Sequence, residues 1–250
     1  MQHTLPPAIA EMRDNGALFA VSHSSGKDSQ AMTIHLKAIG IPEEQMIAIH
    51  ADLGRVEWQG NIEHIRETLG NIPLLIAVAK SDFFGMVNRR KMFPSPSQRQ
   101  CTSDLKRAPI EREIRRYLKA HPEYEGRIVN CMGMRADESA SRAKKPAIKQ
   151  SARNSVAGRT WIDWLPIHEF TTEQVFETIK SAGQEPHYAY AAGMTRLSCC
   201  FCIMGSRNDL TIAARLNPEL YAEYVATEKR LGHTLSMSRK SLEEITGIKV

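Results

Sequence analysis

Residues 19–29 read Phe19-Ala20-Val21-Ser22-His23-Ser24-Ser25-Gly26-Lys27-Asp28-Ser29, and the rest of the chain is organised around them. An apolar run at residues 17–21 leads into this segment, and apolar positions at helical spacing follow it over residues 31–39. The pattern predicts a buried strand, a tight loop and the start of a helix. The end of a strand that runs into a helix N-terminus is suited to binding an anion.

The loop has the composition of a phosphate or oxyanion cradle. Small side chains at residues 24–26 leave backbone N–H groups accessible, the helix dipole adds positive potential, and Lys27 adds a full charge. The loop differs from a Walker A motif, because Val21 stands where the first Gly is required and Asp28 replaces the final Ser or Thr. An ordinary strand–turn–helix corner is the alternative interpretation.

The overall composition is ordinary for a globular protein, with 42% hydrophobic and 24% charged residues among 250. No apolar run approaches the ~18–20 residues that a bilayer span needs, and residues 1–15 lack a signal-peptide core. We therefore expect a cytoplasmic protein without a membrane partner. The net charge of +5 favours anionic partners without distinguishing a nucleotide from a nucleic acid.

Further apolar runs alternate with helical patterns along the chain, at residues 46–52, 73–79 and 128–134. Strands that are apolar throughout and alternate with helices predict an α/β fold, a parallel twisted sheet with helices on both faces. Ser24, Asp52 and Arg135 each follow the end of a predicted strand. Because ligands bind at the carboxyl ends of such strands, we expect these three residues at one crevice.

The last quarter of the chain is helical in pattern. Residues 210–231 form a long helical segment in which Pro218 starts a second helix. We predict two domains: an α/β nucleotide-binding domain over residues 1–193, and an extension over residues 194–250 that carries a cysteine motif and helices.

Two stretches are strongly basic. Residues 88–107 carry six Lys or Arg residues against one acid, and residues 142–159 carry six with no acid. Both contain Pro, Ser or Gly and little apolar periodicity, so we interpret them as mobile loops over the site that recruit an anion. A solvated surface is the alternative.

Three of the five cysteines are candidate ligands. Cys199 and Cys202 form a C-x-x-C pair, and Cys101 lies in a polar loop where a thiol has no packing role. Cys131 lies among apolar neighbours and is assigned to the core, whereas Cys200 is either an extra redox thiol or a packing residue. The spacing fits zinc, an iron–sulfur cluster or a redox dithiol, and it does not choose among them.

Four motifs resemble a known superfamily in its own order. Residues 24–29 resemble the SGGKDS loop of PP-loop ATP pyrophosphatases. Residues 99–110 resemble the cysteine segment of sulfonucleotide (PAPS and APS) reductases, and are closer to the Cys-Thr-x-Asp-Leu-Lys form of the sulfur-transfer subunit of DNA phosphorothioation systems. Residues 133–142 are similar to the family's G-x-R-x-x-E-S-x-x-R signature, and residues 164–167 and 188–199 match its later landmarks.

Departures from the reductase pattern bear on the activity. Thr102 replaces the second cysteine of a paired-cysteine cluster motif, and no cysteine follows Cys202 to act as a C-terminal nucleophile. Residues 27–29 keep the Lys-Asp-Ser that reductases usually lose. These features point away from sulfonucleotide reduction and towards cleavage of ATP itself.

The resemblance implies a PP-loop α/β fold and an enzyme that adenylates a substrate oxygen with ATP, releases pyrophosphate and transfers sulfur. Lys27 and Asp28 are predicted catalytic residues, and Asp28 and Asp52 are predicted Mg²⁺ ligands. The predicted nucleotide-binding residues are Ser22, Ser24, Ser25, Gly26, Lys27, Asp28, Ser29, Asp52, Arg135, Glu138 and Arg142. Lys106, Arg107 and Arg196 are predicted to bind the substrate, and Cys101, Cys199 and Cys202 to hold a 4Fe–4S cluster with one open iron.

Two alternatives remain at this point. One is a PAPS or APS reductase that releases sulfite from the same crevice, and the other is a nucleotide-binding partner subunit without turnover. The predicted partners are an adenine nucleotide, a sulfur donor protein or sulfide, a nucleic acid acceptor and a second copy of the chain.

Overall fold

A computed structural model describes residues 5–250. The described strands are β1 (Leu18–Ser22), β2 (Met46–Asp52), β3 (Leu74–Val78), β4 (Arg127–Met132), β5 (Ile148–Gln150) and β6 (Thr160–Trp164). The α-helices are α1 (Pro7–Asp14), α2 (Lys27–Ala38), α3 (Asn61–Leu69), α4 (Phe83–Arg90), α5 (Gln100–Thr102), α6 (Ala108–Ala120), α7 (Ala140–Ala143), α8 (Thr172–Ser181), α9 (Tyr188–Ala191), α10 (Arg207–Leu216), α11 (Pro218–Leu231) and α12 (Leu242–Thr246). A π-helical segment, Ser103–Arg107, joins α5 to α6. Residues 1–4, part of the predicted first domain and of the segment without a signal-peptide core, lie outside the described residues.

The six strands form one sheet in the order β3-β2-β1-β4-β6-β5. β1 pairs in parallel with β2 and with β4, and β4 pairs in parallel with β6. β5 pairs with β6 in the antiparallel direction. The strand order reverses between β1 and β4, so the carboxyl ends of these two strands form the position at which open α/β sheets bind ligands. The predicted α/β class with a helical C-terminal region is confirmed.

The chain packs as two units, each assembled from separate segments. The first runs up to His50 and adds Ile62–Ile76 and Ile110–Pro186, and the second comprises Ala51–Asn61, Ala77–Pro109 and His187–Val250. The predicted division into residues 1–193 and 194–250 stays a prediction.

The first unit is built on an apolar strand. Residues Leu18 to Val21 of β1 are fully buried, as a central parallel strand with both faces covered requires. α2 packs against α8, which begins with a capping box formed by Thr171 and Gln174.

The second unit has a core of its own around the buried ring of Tyr224. The rings of Phe83, Phe84, Phe93 and Phe201 lie with centroids 4.9 to 6.2 Å from it. The predicted break at Pro218 is confirmed, because α10 ends at Leu216 and α11 begins at Pro218. Among residues 5–250, every helix is too short or too polar to cross a membrane.

The second basic stretch does not stay at one edge of the sheet, which differs from the prediction of a single loop over the site. Arg142 follows the carboxyl end of β4, but β5 then runs antiparallel to β6 and carries the chain to the opposite edge. Arg153 and Arg159 therefore lie at the amino ends of β4 and β6. With three residues, of which only Ile148 is apolar, this short edge strand has no alternating pattern that would predict it from the sequence.

Candidate functional site

The loop between β1 and α2 is held in one shape by its own side chains. The Ser24 N–H donates to Ser29 Oγ at 3.1 Å, and that hydroxyl donates to the Gly26 carbonyl at 2.9 Å. The Ser25 N–H donates to His23 Nδ1 at 3.2 Å. Ser25 has a φ of 64°, a left-handed conformation that is uncommon outside glycine and is often found at functional sites.

The loop presents the features that an oxyanion needs. Gly26 caps α2 without a side-chain hydrogen bond, so no side chain covers this end of the helix dipole. Ser25 is fully buried, and its Oγ has no hydrogen-bond partner within residues 5–250. A buried hydroxyl of this kind is costly unless a water or ligand meets it. Ser22, at the end of β1, pairs with Met132 of β4 and leads directly into the loop.

Lys27 is buried rather than exposed. Only 5% of the residue is accessible, its Nζ lies 3.3 Å from Asp28 Oδ2, and it stands 6.0 Å from the centre of the Phe176 ring. A buried ammonium beside one carboxylate is held in place and acts in a less screened environment than a surface lysine.

Arg135 is the partner of Asp28. Its Nε donates to Asp28 Oδ1 at 2.7 Å, and its Nη atoms donate to Asp137, Thr172 and the Phe170 carbonyl at 3.0 to 3.2 Å. Burial lowers the pKa of Arg135, but the Asp28 carboxylate and the other acceptors more than offset this and leave it raised. Arg135 is 3% exposed, so its donors are directed at the protein and it positions Asp28.

The segment after β4 approaches the loop closely. A Cβ atom at Gly133 would lie 3.1 Å from the carbonyl carbon and oxygen of Asp28 and 3.2 Å from the Ser29 nitrogen. Glu138 Oε2 accepts the Arg135 N–H at 3.0 Å and forms an ion pair with Arg142. The structure thus brings together the loop and the segment of residues 133–142, as the sequence predicts.

Asp52 is placed differently from the other predicted nucleotide-binding residues. It is the last residue of β2 and belongs to the second unit, where its Oδ1 accepts the Gly54 N–H at 2.7 Å. Its role in nucleotide binding stays a prediction. Both oxygens of Asp28 already contact cations, so the contacts of Asp28 do not favour its predicted role as a Mg²⁺ ligand.

The second unit holds the predicted thiols. Cys199 and Cys202 form a hydrogen-bonded pair, in which the Cys199 thiol lowers the pKa of Cys202 to about 5. The Met204 N–H, 3.5 Å from Cys202 Sγ, and Arg196 act in the same direction. The bond to Cys202, followed by burial, raises the pKa of Cys199 well above its usual value.

Cys101 lies near this pair, whereas the Cys200 thiol is in a different, buried environment. Burial raises the pKa of Cys101, Lys106 opposes that rise, and the charge of Cys202 adds to it. Burial raises the pKa of Cys200 to about 12, which marks a packing residue. Cys131 is fully buried in the first unit, as predicted.

Cys199 and Cys202 form a hydrogen-bonded dithiol, and Cys101 lies close enough to interact with its charge. Within residues 5–250, no group of three or more His, Cys, Asp or Glu side chains is arranged to hold a metal ion. The 4Fe–4S cluster therefore stays a prediction. Lys106 and Arg196 act on the thiols, whereas Arg107 is exposed.

His23 belongs to the loop of the candidate site, although it was not among the predicted site residues. It is 3% exposed and anchors the loop through Ser25. A histidine inside an otherwise small-residue loop was the available signal.

One family model matches most of the chain. The family model described as phosphoadenosine phosphosulfate reductase domain matches residues 19–204. An uncharacterized 37.8 kDa protein in the gpa 5'region of Escherichia phage 186 is 26% identical over 167 residues, which cover 67% of this chain and 48% of that protein. The chain thus spans about half the length of this curated relative.

Solved structures with a similar chain path include two enzymes. Phosphoadenylyl-sulfate (PAPS) reductase from Candida auris, in a phosphate complex, matches with a TM-score of 0.47 at 14% identity over 72% of this chain and 80% of that chain. FMN adenylyltransferase from Candida glabrata, in complex with FAD and inorganic pyrophosphate, matches with a TM-score of 0.47 at 14% identity over 74% and 55%.

Proposed function

The chain belongs to the phosphoadenosine phosphosulfate reductase domain family, and from that premise we propose that it is an enzyme that binds ATP on the loop of residues 22–29. The observation that carries this proposal is the position of the loop. It lies at the carboxyl ends of β1 and β4, where the strand order reverses, and it combines a helix N-terminus with a buried lysine.

The proposed reaction is adenylation. A substrate oxygen attacks the α-phosphorus of ATP, the α–β phosphoanhydride bond breaks, and pyrophosphate leaves. The N–H groups at the start of α2 and the Lys27 ammonium stabilise the negative charge that develops on the phosphates. Arg135 acts through Asp28: it holds this carboxylate beside Lys27 and thereby fixes the ammonium.

Sulfur transfer is the finer part of the proposal. After adenylation, a sulfur nucleophile attacks the activated atom of the substrate and AMP leaves with the oxygen. The hydrogen-bonded pair Cys199 and Cys202, with Cys101 beside it, supports a role for these thiols as sulfur carriers. A metal cluster would supply an open iron for sulfide, and no step here depends on it.

The test is a Lys27→Met variant. Methionine keeps most of the volume of this buried side chain and removes the charge. We expect ATP binding to weaken by about tenfold or more, or pyrophosphate release to stop, since a charge-assisted contact to phosphate is lost. Lys37→Met, at the other end of α2, is the matched control. A folded Lys27→Met protein with unchanged binding and turnover would refute the proposal.

A second candidate is a PAPS or APS reductase. The hydrogen-bonded pair Cys199 and Cys202 favours it, because one thiol of a pair can attack sulfur and the second can then form a disulfide with the first. The products separate the candidates: ATP-dependent pyrophosphate release supports adenylation, whereas sulfite release from PAPS supports reduction. Nucleotide binding without either product supports a binding subunit.

A further inference from the structure

The edge of the sheet opposite the loop of residues 22–29 carries an open, basic basin of ≈ 680 Å³ in the first unit. It lies where β4 and β6 begin, and α6 forms one wall. Within the part of the chain that the structure describes, its lining has five cations and one carboxylate: Arg112, Arg115, Arg116, Lys119, Arg159 and Glu125. We name it the amino-edge basin.

Four of these cations follow one face of α6. Their positions, 112, 115, 116 and 119, have the i, i+3, i+4 and i+7 spacing of a helical stripe. The stripe extends over roughly 10 Å at a rise of ~1.5 Å per residue. A duplex carries one phosphate charge per ~1.7 Å of axis, so a row of this length can meet several phosphates at once.

A buried asparagine brings a fifth cation to the stripe. Asn154 is 3% exposed; its Oδ1 accepts from Arg115 Nη1 at 3.1 Å, and its carbonyl accepts from Arg159 Nε at 2.7 Å. Burial lowers the pKa of Arg159, and the nearby charge of Arg115 acts in the same direction. Asn154 thus holds two positively charged groups near each other, an arrangement that favours an anion between or above them.

The turns that border the basin pack closely against each other. Gly126 and Gly158 both have a φ of 74°, and a Cβ atom at Gly126 would lie 2.1 Å from the Gly158 carbonyl oxygen. The Thr160 N–H donates to the Gly126 carbonyl at 2.9 Å. The turn that carries Arg159 is thus fixed against the turn before β4, so the cations are presented by a preformed surface.

Local acids neutralise this surface only in part. Glu113 is shared by Arg112 and Arg116, at 2.8 and 2.9 Å, and Glu111 by Arg115 and Arg153, at 3.9 and 3.0 Å. Each carboxylate therefore pairs with two arginines, and the region keeps a net positive charge.

From this geometry we propose that the amino-edge basin binds the phosphodiester backbone of a nucleic acid, independently of the nucleotide site. The basin is far larger than a single phosphate and is open to solvent. It also offers Val156, 55% exposed, as an apolar surface for a sugar or base. The binding is governed by the backbone, because the stripe offers charges and no enclosed pocket for a base.

The test uses fluorescently labelled 20-residue oligonucleotides, single- and double-stranded, with the full chain and fluorescence anisotropy. Arg116 and Lys119 are exposed, so Arg116→Glu/Lys119→Glu reverses two charges at the cost of one surface ion pair, between Arg116 and Glu113. We expect binding at about 50 mM salt that weakens at least about tenfold in this variant, with a salt slope smaller by about 2. Lys144→Glu/Lys145→Glu, two exposed lysines after α7, is the matched control and is expected to bind within about twofold of the unchanged chain.

The proposal would be overturned if no oligonucleotide bound at low salt, or if both double variants lost affinity for the oligonucleotide equally. It would also be overturned if inorganic phosphate, equimolar to the oligonucleotide, displaced it, because the basin would then be a site for a small anion. Should the charge reversal disturb folding, Arg116→Gln/Lys119→Gln gives the same comparison without new repulsion. Excess ATP should not displace the oligonucleotide.

Discussion

His23 shows how a single side chain sets the shape of the loop. Its Nδ1 accepts the Ser25 N–H, so the ring must be neutral for the left-handed turn to form. Burial lowers the pKa of His23 to about 3, and the positive charges of His50 and His64 add to the shift. The carbonyl of His23 in turn accepts from His50 Nδ1 at 2.9 Å.

Acid should therefore destabilise the fold through His23. Between the unfolded pKa of 6.5 and the folded value of about 3, the unfolded chain binds a proton that the folded chain does not, so this contribution to stability is full above 6.5 and is lost as the pH falls. We expect the pH dependence of the unfolding free energy in His23→Asn to be shallower by up to about 1.4 kcal/mol per pH unit in this window. Denaturant titrations across pH measure it, with the exposed His233→Asn as control. Parallel curves for wild type and His23→Asn would contradict the assignment.

At this scale the sequence located residues better than it assigned their contacts. The loop and Arg135 were predicted from the ends of apolar strands and Glu138 from the resemblance of residues 133–142 to a family signature; the structure brings them together, and their roles stay predictions. The direction in which the Arg135 guanidinium group points was not predictable, because its acceptors Thr172 and Phe170 lie more than 30 positions away in the chain. The burial of Lys27 depends in the same way on the distant ring of Phe176.

Among the elements, α11 ends in a segment that depends on one buried carboxylate. Glu228 is 5% exposed; its Oε1 accepts the Leu235 N–H at 2.7 Å and its Oε2 the Leu242 N–H at 2.8 Å. The side chain thus connects α11 to the following turn and to the start of α12. Burial raises the pKa of Glu228, and the two N–H donors limit the rise.

Glu228→Gln should weaken this connection, because an amide offers one acceptor oxygen and turns an N–H₂ group towards the other backbone N–H. We expect the unfolding free energy to fall by about 1–3 kcal/mol, the cost of one buried unsatisfied donor. Chemical denaturation measures it. The exposed Glu219→Gln, in the first turn of the same helix, is expected to change stability by less than about 0.5 kcal/mol. Equal stability of the two variants would show that the contacts are not needed.

Elements with strong local signals were predicted well, and weak ones were not. β2 has the predicted bounds, and Pro218 separates α10 from α11 as expected. β5 was missed because three residues at a sheet edge bury little and have no apolar alternation. That one strand carries the chain from the carboxyl ends to the amino ends of the parallel strands, and Arg153 and Arg159 follow it there. Missing one short element therefore changed the predicted position of a charged surface.

At the scale of the whole molecule, the parallel sheet of the first unit separates two kinds of chemistry. Its carboxyl edge carries the loop of residues 22–29, and its amino edge carries the amino-edge basin. Composition alone, a net charge of +5, could not show this division. It follows from strand direction, which no local sequence window contains.

Hydrogen exchange with and without ATP tests this arrangement in the intact chain. A ligand at about 100 times its Kd stabilises the state that binds it by about 2.7 kcal/mol, and amides that open locally near the ligand slow accordingly. We expect slower exchange at residues 22–29 and 133–142, which Gly133 and Arg135 connect. Residues 151–159, at the other edge of the same sheet, should change little, and Lys27→Met should reduce the protection. Slowing at residues 151–159 without slowing at 22–29 would instead place the nucleotide at the amino edge, where the arginines also attract phosphate.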